Sequence, residues 1–102
     1  MPPGQAAHAH VHFDSDVIVL VRDGEAVTLW WDEHGELHEV RQTVGQHLHI
    51  PRGVPHAVLN LGERPVIASE FHSNAVFDAD DHRLDQLTHM VAARLRAVNH
   101  AA

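Results

Sequence analysis

Apolar and polar residues alternate strictly near the start of the chain, in the segment HAHVH at residues 8–12. Successive side chains of a β-strand point to opposite faces of the strand. The alternation therefore predicts a strand that places His8, His10 and His12 on one face. The preceding residues, 1–7, are expected to form a flexible N-terminus.

Two apolar segments follow, and each has the length of a strand. Val17–Val21 is separated from Ala26–Trp31 by the sequence RDGE, in which Asp23-Gly24 is typical of a tight hairpin turn because glycine adopts a positive φ easily. Turn residues recur after this hairpin at the 8–12-residue spacing of an antiparallel sandwich or barrel. Further strands are predicted at residues 36–41, 46–50, 56–61 and 66–71.

The last quarter of the chain changes to a helical period. Asp80 or Asp81 is a candidate cap at the start of the helix, and Asn99 is a candidate residue just past its end. Residues 76–102 are predicted to form a loop and one C-terminal helix, which packs on the β-domain of residues 8–75 or on a partner subunit. The apolar stripe of this helix is formed by Leu84, Leu87, Val91, Leu95 and Val98.

The composition fits a single globular domain. The chain has 102 residues, of which 44% are hydrophobic and 21% are charged, as in typical folded domains. No apolar run approaches the roughly 20 residues of a membrane helix, and the first residues lack the features of a signal peptide. We therefore expect a cytoplasmic protein that does not bind membranes. The absence of cysteine excludes disulfides and thiolate ligands.

The net charge and the histidine content indicate which kinds of ligand the protein binds. A formal net charge of −7 repels phosphate backbones, so nucleic-acid binding is not expected. The chain contains twelve histidines, and histidine is the commonest metal ligand in proteins. The spacing of these histidines decides which of them are candidates.

A second segment that contains candidate metal ligands is GQHLHIPRGVPHAVLN, residues 45–60. Pro51 ends one predicted strand, and Gly53 permits a sharp reversal of the chain. The reversal starts the next strand at His56, and alternation places Val58 and Asn60 on the same face as His56.

The spacing from Gly45 to Asn60 resembles the second sequence motif of the cupin superfamily at every defined position. The pair His10-Val11-His12, followed by Gly24, resembles the first motif, and the resemblance covers residues 8 to 72. It implies a cupin-type antiparallel β-barrel, similar to a jelly roll, in a small protein with a single barrel. Histidines two residues apart on a strand can share one ion at about 2.0–2.1 Å.

The first motif of this family also contains a glutamate ligand, and here that position falls on Val17. Valine cannot coordinate a metal, so the expected ligands are three histidines: His10, His12 and His56. If Val17 faces inward, alternation turns Val19 inward as well. An alternative is that Asp16 supplies the carboxylate through a local bulge.

Other residues remain candidates for the site. His8 shares the face of His10 and is an alternative ligand, while His47 and His49 share a face and either extend the site or lie on the outer wall. Trp30 and Trp31 are neighbours on one strand, so one of them faces inward. The expected pocket consists of Val17, Val19, Val58, Asn60, Trp30, Phe71 and His72.

The two apolar strands have apolar residues on both faces, although only one face of a barrel wall lines the interior. Exposed apolar residues need a cover, which either the C-terminal helix or a second subunit provides. We expect a homodimer.

The resemblance implies one divalent metal ion per chain, with iron expected first and zinc, nickel or manganese as alternatives. Cupins with three histidine ligands include some thiol and diketone dioxygenases, so a dioxygenase acting on a small molecule is the leading interpretation. Isomerase, epimerase, lyase or bond-forming activity is an alternative, and a metal-containing module that binds a ligand without turnover is another. The fold alone does not decide among them, and the sequence identifies no catalytic acid or base.

Overall fold

The computed structural model describes residues 1–74 and 80–101, with side chains to residue 97. The strands in this part of the chain are β1 (His10–Val11), β2 (Val17–Asp23), β3 (Ala26–Trp31), β4 (Leu37–Gln42), β5 (His47–Ile50), β6 (His56–Leu59), β7 (Ile67–His72) and β8 (His82–Arg83). They form two antiparallel sheets, with strand orders β4-β3-β6-β1-β8 and β5-β2-β7. The α-helix α1 (Thr88–Ala101) follows a short 3-10 turn, Asp85–Leu87.

The two sheets face each other as a sandwich. This arrangement confirms the predicted all-β, jelly-roll-like fold with a C-terminal helix, but the described strands do not close into a continuous barrel. The residues that face the other sheet alternate along each strand, so that β2 contributes Val17, Val19 and Val21, all at most 2% exposed. The interior between the sheets is therefore apolar along β2.

The outer face of the five-stranded sheet is buried beneath α1. Val27 and Leu29 of β3 lie in one apolar cluster with Val91 of the helix, and the indole Nε1 of Trp31 donates a hydrogen bond to Sδ of Met90 at 3.3 Å. The C-terminal helix thus covers the apolar outer face of β3. No helix in the described residues is long and apolar enough to cross a membrane.

The helix differs from its prediction at both ends. It begins at Thr88, and Leu84 and Leu87 precede it while still packing on the same apolar cluster. The helix continues to Ala101, past Asn99, and the side chain of Val98 lies outside the described residues. Neither predicted acidic cap is used, since the Asp80 carboxylate accepts hydrogen bonds from backbone N–H groups near β1 instead.

The first residues pair with the chain that follows β6. The backbone N–H of Gly4 donates to the carbonyl of Asn60, and the N–H of Asn60 donates to the carbonyl of Gln5, both at 2.9 Å. The amino group of Met1 also donates to the carbonyl of Val66 at 2.8 Å. Residues 1–7, for which a flexible segment is predicted, thus donate and accept backbone hydrogen bonds in this structure.

Candidate metal centre

Three histidines meet on the inner face of the five-stranded sheet. His10 of β1 lies directly opposite His56, the first residue of β6, and their ring centroids are 4.3 Å apart. His12 follows β1 on the same face, with its ring 4.9 Å from that of His10 and 5.5 Å from that of His56. One nitrogen from each ring lies within 4.8 Å of the other two. The cross-strand register therefore joins the two sequence motifs at one point.

Backbone carbonyls orient all three imidazole rings. Nδ1 of His10 bonds to the carbonyl of His8 at 2.8 Å, and Nδ1 of His56 bonds to the carbonyl of Val54 at 3.0 Å. Nδ1 of His12 makes the same kind of bond to the carbonyl of Asp80 at 3.0 Å. A carbonyl oxygen only accepts, so each Nδ1 carries a proton, and in the neutral form of each ring the free lone pair is on Nε2. Three Nε2 atoms are thus available to one cation.

Burial keeps two of these imidazoles neutral. The side chain of His56 is 3% exposed, and desolvation by burial lowers its pKa to about 4. Burial likewise lowers the pKa of His10 from its ordinary value. A metal ligand must be deprotonated, so these rings need not release a proton to bind an ion near neutral pH.

The donor set fits a divalent transition metal. Imidazole nitrogen suits zinc, copper, iron and nickel, and a backbone hydrogen bond on the opposite ring nitrogen is the usual support for a metal-binding histidine. The residues of the described chain therefore fit the metal ion that the fold family implies.

Asp16, the alternative carboxylate ligand, has other partners in the structure. One carboxylate oxygen of Asp16 accepts hydrogen bonds from the backbone N–H and Nε of Arg52, both at 3.0 Å, and the other lies 3.4 Å from Nε2 of His49. Val17, which occupies the position of the family glutamate, is buried. In this structure the Asp16 carboxylate therefore pairs with Arg52 and His49 rather than with the three rings.

Two other candidate ligands lie apart from the three rings. His47 is exposed on the outer side of β5, opposite Leu20, and His49 is opposite Ile18. These positions agree with the outer-wall interpretation of the pair. His8 approaches the cluster more closely, since its ring centroid lies 5.2 Å from that of His10.

Of the two pocket candidates at the end of β7, His72 faces inward as expected and Phe71 does not. His72 pairs with Val17 and turns inward, and its ring centroid lies 5.4 Å from that of His12. Phe71 pairs with Ile18 on the outer face and is 55% exposed, so it does not line the pocket. The reason is that β7 continues one residue beyond its predicted end, which makes His72 a strand residue rather than a loop residue.

The other predicted pocket residues divide between the two ends of the sandwich. Val17 and Val19 form an apolar cluster with Ile50, whereas Val58 packs against a separate cluster.

Asn60 is a structural residue rather than part of the pocket. Its Nδ2 donates to the carbonyls of Met1 and Arg64, and its Oδ1 accepts from the N–H of Gly62. The face predicted by alternation does not apply to Asn60, because β6 ends at Leu59.

Asp80 and Asp81 are neighbours of the site that the sequence did not identify. The Asp80 side chain is 5% exposed, and its carbonyl accepts the Nδ1 hydrogen bond of His12. The Asp81 carboxylate lies 3.5 Å from Nε2 of His8. The sequence signal for these residues, an acidic pair ahead of an apolar helical stripe, indicates a helix cap more readily than a metal site.

A jelly-roll sandwich with three imidazoles converging between its sheets is typical of one class of small metal-binding β-domains. The sequence model of the Cupin domain matches residues 1–72, and the chain belongs to this family. A comparison with curated protein sequences found no match.

Solved structures share the fold. The capsular polysaccharide assembling protein CapF from Staphylococcus aureus has a TM-score of 0.72 at 22% identity, over 81% of this chain and 24% of that one. A recombinant oxalate oxidase in complex with glycolate has a TM-score of 0.68 at 22% identity, over 72% and 38%. Oxalate decarboxylase from B. subtilis has a TM-score of 0.70 at 21% identity, over 82% and 22%. The chain thus spans less than two fifths of the length of each of these proteins.

Proposed function

We propose that this protein is a metal-dependent enzyme that acts on a small molecule at His10, His12 and His56, with dioxygenase-type chemistry as the leading reaction. The observation that carries the proposal is that Nδ1 of each of the three rings lies within hydrogen-bond distance, 2.8–3.0 Å, of a backbone carbonyl oxygen. Rings that are free to rotate on a surface do not share this feature, and it leaves three Nε2 atoms for one ion.

The ligand set favours a site with open positions. Three neutral imidazoles leave the full positive charge on a divalent ion, and three protein ligands do not fill its coordination shell. When bound, the ion would supply Lewis acidity, or redox chemistry if it is iron.

The chain's own residues supply the surroundings of the reaction. Val17 and Val19 present an apolar wall that keeps water from the inner face of β2, and exclusion of water strengthens electrostatic interactions in the site. His72 adds an imidazole beside His12, with its own Nε2 3.5 Å from a carboxylate oxygen of Glu70. These groups bind and orient a small molecule next to the three histidines.

Elemental analysis of protein purified without a histidine tag and without added metal tests the proposal. About one iron per chain supports it and directs the substrate search to diketones, thiols and catechol-like acids. Zinc, nickel or manganese at the same stoichiometry favours an isomerase, a lyase or a binding module. The absence of bound metal after reconstitution with each ion would contradict the metal site.

A variant pair locates the ion. His56→Ala removes a buried Nε2 from the cluster, so metal content should fall at least tenfold while the protein stays folded. His47→Ala removes an exposed imidazole of the outer wall and should keep the metal content of the unmodified protein. Stoichiometric metal in His56→Ala would contradict the ligand assignment.

We also propose that the protein forms a homodimer through the outer face of β5-β2-β7. The helix covers the other sheet, whereas Ile18 and Phe71 are cross-strand neighbours on this face, 39% and 55% exposed. Light scattering after size exclusion should give twice the mass of the chain, and Phe71→Glu should shift the protein to a monomer. A monomer at all concentrations would contradict this proposal.

A further inference from the structure

A second group of candidate metal ligands includes His10 and reaches the protein surface. One ligand atom from each of His8, His10 and Asp81 lies within 4.8 Å of the other two, and Nε2 of His8 is 3.5 Å from Oδ1 of Asp81. Imidazole nitrogen and carboxylate oxygen both coordinate divalent transition metals. We call these three residues the outer cluster, and His10, His12 and His56 the inner cluster.

The two clusters differ in their access to solvent. The side chains of His8 and Asp81 are each 38% exposed, whereas His12 and His56 of the inner cluster are buried. His10, which belongs to both clusters, is intermediate in exposure. Its ring centroid lies 5.2 Å from that of His8 and 4.3 Å from that of His56. The rings of His8, His10 and His56 therefore lead from the protein surface to the buried ligands.

The shared residue, His10, can coordinate one ion at a time. Its Nδ1 lies 2.8 Å from the carbonyl oxygen of His8 and carries a proton, so the free lone pair of the neutral ring is on Nε2. One lone pair forms one coordinate bond. An ion that the outer cluster holds through His10 therefore excludes a second ion that the inner cluster holds through the same ring. The two clusters thus offer alternative positions to a single ion.

We infer that the outer cluster is the entry site of the metal ion, where His8, His10 and Asp81 bind a divalent transition metal before it reaches the inner cluster. This inference rests on the proposed function, because it takes the inner cluster as the final position of the ion. During the transfer, Nε2 of His10 keeps its coordinate bond. The bonds to His8 and to the Asp81 carboxylate break as those to His12 and His56 form. The ion keeps its charge, so the transfer needs no oxidant or reductant.

Stopped-flow mixing of the metal-free full chain with Co²⁺ tests the entry site through the absorbance of the bound ion. Asp81→Asn should slow loading about 5- to 10-fold, the effect of losing one contact to a charged group. Release to an excess of chelator should slow by the same factor, because loading and release follow one path in opposite directions. The equilibrium affinity, which is the ratio of the two rates, should stay within about threefold. An exposed ion pair adds little to stability, so the variant should stay folded.

Matched variants separate an entry site from general attraction of cations by negative charge. Glu25→Gln removes the same charge from an exposed pair with Arg41 and should leave both rates unchanged. His8→Ala should slow loading and release as Asp81→Asn does, whereas His47→Ala, on the outer side of β5, should slow neither. A carboxylate that only attracted cations would affect loading alone, and its effect would disappear at high salt.

Loss of an inner ligand should leave the ion at the outer cluster. His56→Ala should bind Co²⁺ more weakly than the unmodified protein. Adding Asp81→Asn to this variant should weaken the remaining binding about 5- to 10-fold further, although Asp81→Asn alone has little effect on affinity. An unchanged affinity in the double variant would overturn the inference.

Other outcomes separate the entry site from the proposed function. Unchanged loading and release rates in His8→Ala and Asp81→Asn, or slower loading with unchanged release, would overturn the entry site and leave the proposed function standing. Two tightly bound Co²⁺ ions per chain would also overturn it, because His10 would then not be shared. Slower loading and release in a protein without turnover would support the entry site and contradict the enzyme. No Co²⁺ binding by the unmodified protein would overturn both.

Discussion

The imidazole of His12 is held by the backbone of Asp80, 68 residues further along the chain, through a 3.0 Å hydrogen bond from Nδ1 to the carbonyl oxygen. The side chain of Asp80 in turn holds the segment that follows His12, since its two carboxylate oxygens accept from the N–H groups of Phe13 and Asp14, both at 2.9 Å. One residue thus anchors both the ring and the backbone of a candidate ligand.

Replacing Asp80 by asparagine should weaken metal binding without removing a ligand. Asparagine has one side-chain oxygen, so it can accept the hydrogen bond from Phe13 or from Asp14 but not both as the carboxylate does. The backbone at residue 80 is then held less firmly, and so is the carbonyl that orients the His12 ring. Supporting groups of this kind change metal affinity by about 10- to 100-fold, and we expect about 10-fold from a competition assay with a chromophoric chelator. Asp81→Asn, whose carboxylate is more exposed, should change the affinity less than threefold. Equal affinities in both variants would contradict the anchoring role.

The sequence predicted the cluster of three histidines better than it predicted the groups that orient their rings. His10 and His12 were placed on one face because their spacing matches the period of a strand, and His56 because Pro51 and Gly53 set the start of its strand. Both signals are local, so they can be read without knowing which strands pair. Asp80 acts through a contact between distant parts of the chain, which the local sequence does not indicate. The strand β8, which follows Asp80, has only two residues, both polar, and is too short to show an alternating pattern in the sequence.

The errors in the pocket prediction have a similar origin. Asn60 was assigned a face by extending β6 past Leu59, and Phe71 was assigned to the pocket without the register of β7 against β2. The register of a strand against its neighbour decides which of its side chains face the interior, and a shift of one residue reverses the faces. By contrast, β3 has the predicted bounds, Ala26–Trp31, because the Asp23-Gly24 turn and the apolar run define it locally.

Two glycines with the same backbone conformation should respond differently to substitution by alanine. Gly24 and Gly35 have φ values of +79° and +77°, so each substitution carries the cost of a left-handed conformation, about 1–2 kcal/mol. At Gly24, a Cβ atom would also lie 2.5 Å from the carbonyl oxygen of Pro65, whereas at Gly35 it meets nothing within 4 Å. We expect Gly24→Ala to lower the free energy of unfolding by about 2–4 kcal/mol and Gly35→Ala by about 1 kcal/mol. Urea denaturation measures both, and equal losses would contradict the close approach of Pro65.

The ion pair between Glu39 of β4 and Arg94 of α1 should make the attachment of the helix depend on pH. Nε of Arg94 donates to Oε1 of Glu39 at 2.5 Å, and Nη2 of Arg94 donates to Oε2 of Glu39 at 3.2 Å. The Arg94 guanidinium holds the pKa of the Glu39 carboxyl below its ordinary value. A carboxyl group whose pKa is lower in the folded state stabilises the protein fully above the unfolded-state pKa, near 4.3, and loses this contribution as pH falls through the folded-state value.

Glu39→Gln should therefore lower the free energy of unfolding by about 0.5–1 kcal/mol at pH 7, a value limited by partial exposure of both side chains. The difference from the unmodified protein should decrease as pH falls below about 4 and should also decrease at high salt. The matched control is Glu25→Gln, which breaks the more exposed pair with Arg41 and should change stability by less. Chemical denaturation across this pH range measures both variants. A Glu39→Gln difference that stays constant down to pH 3 would mean that the glutamate stabilises the helix by packing rather than by its charge.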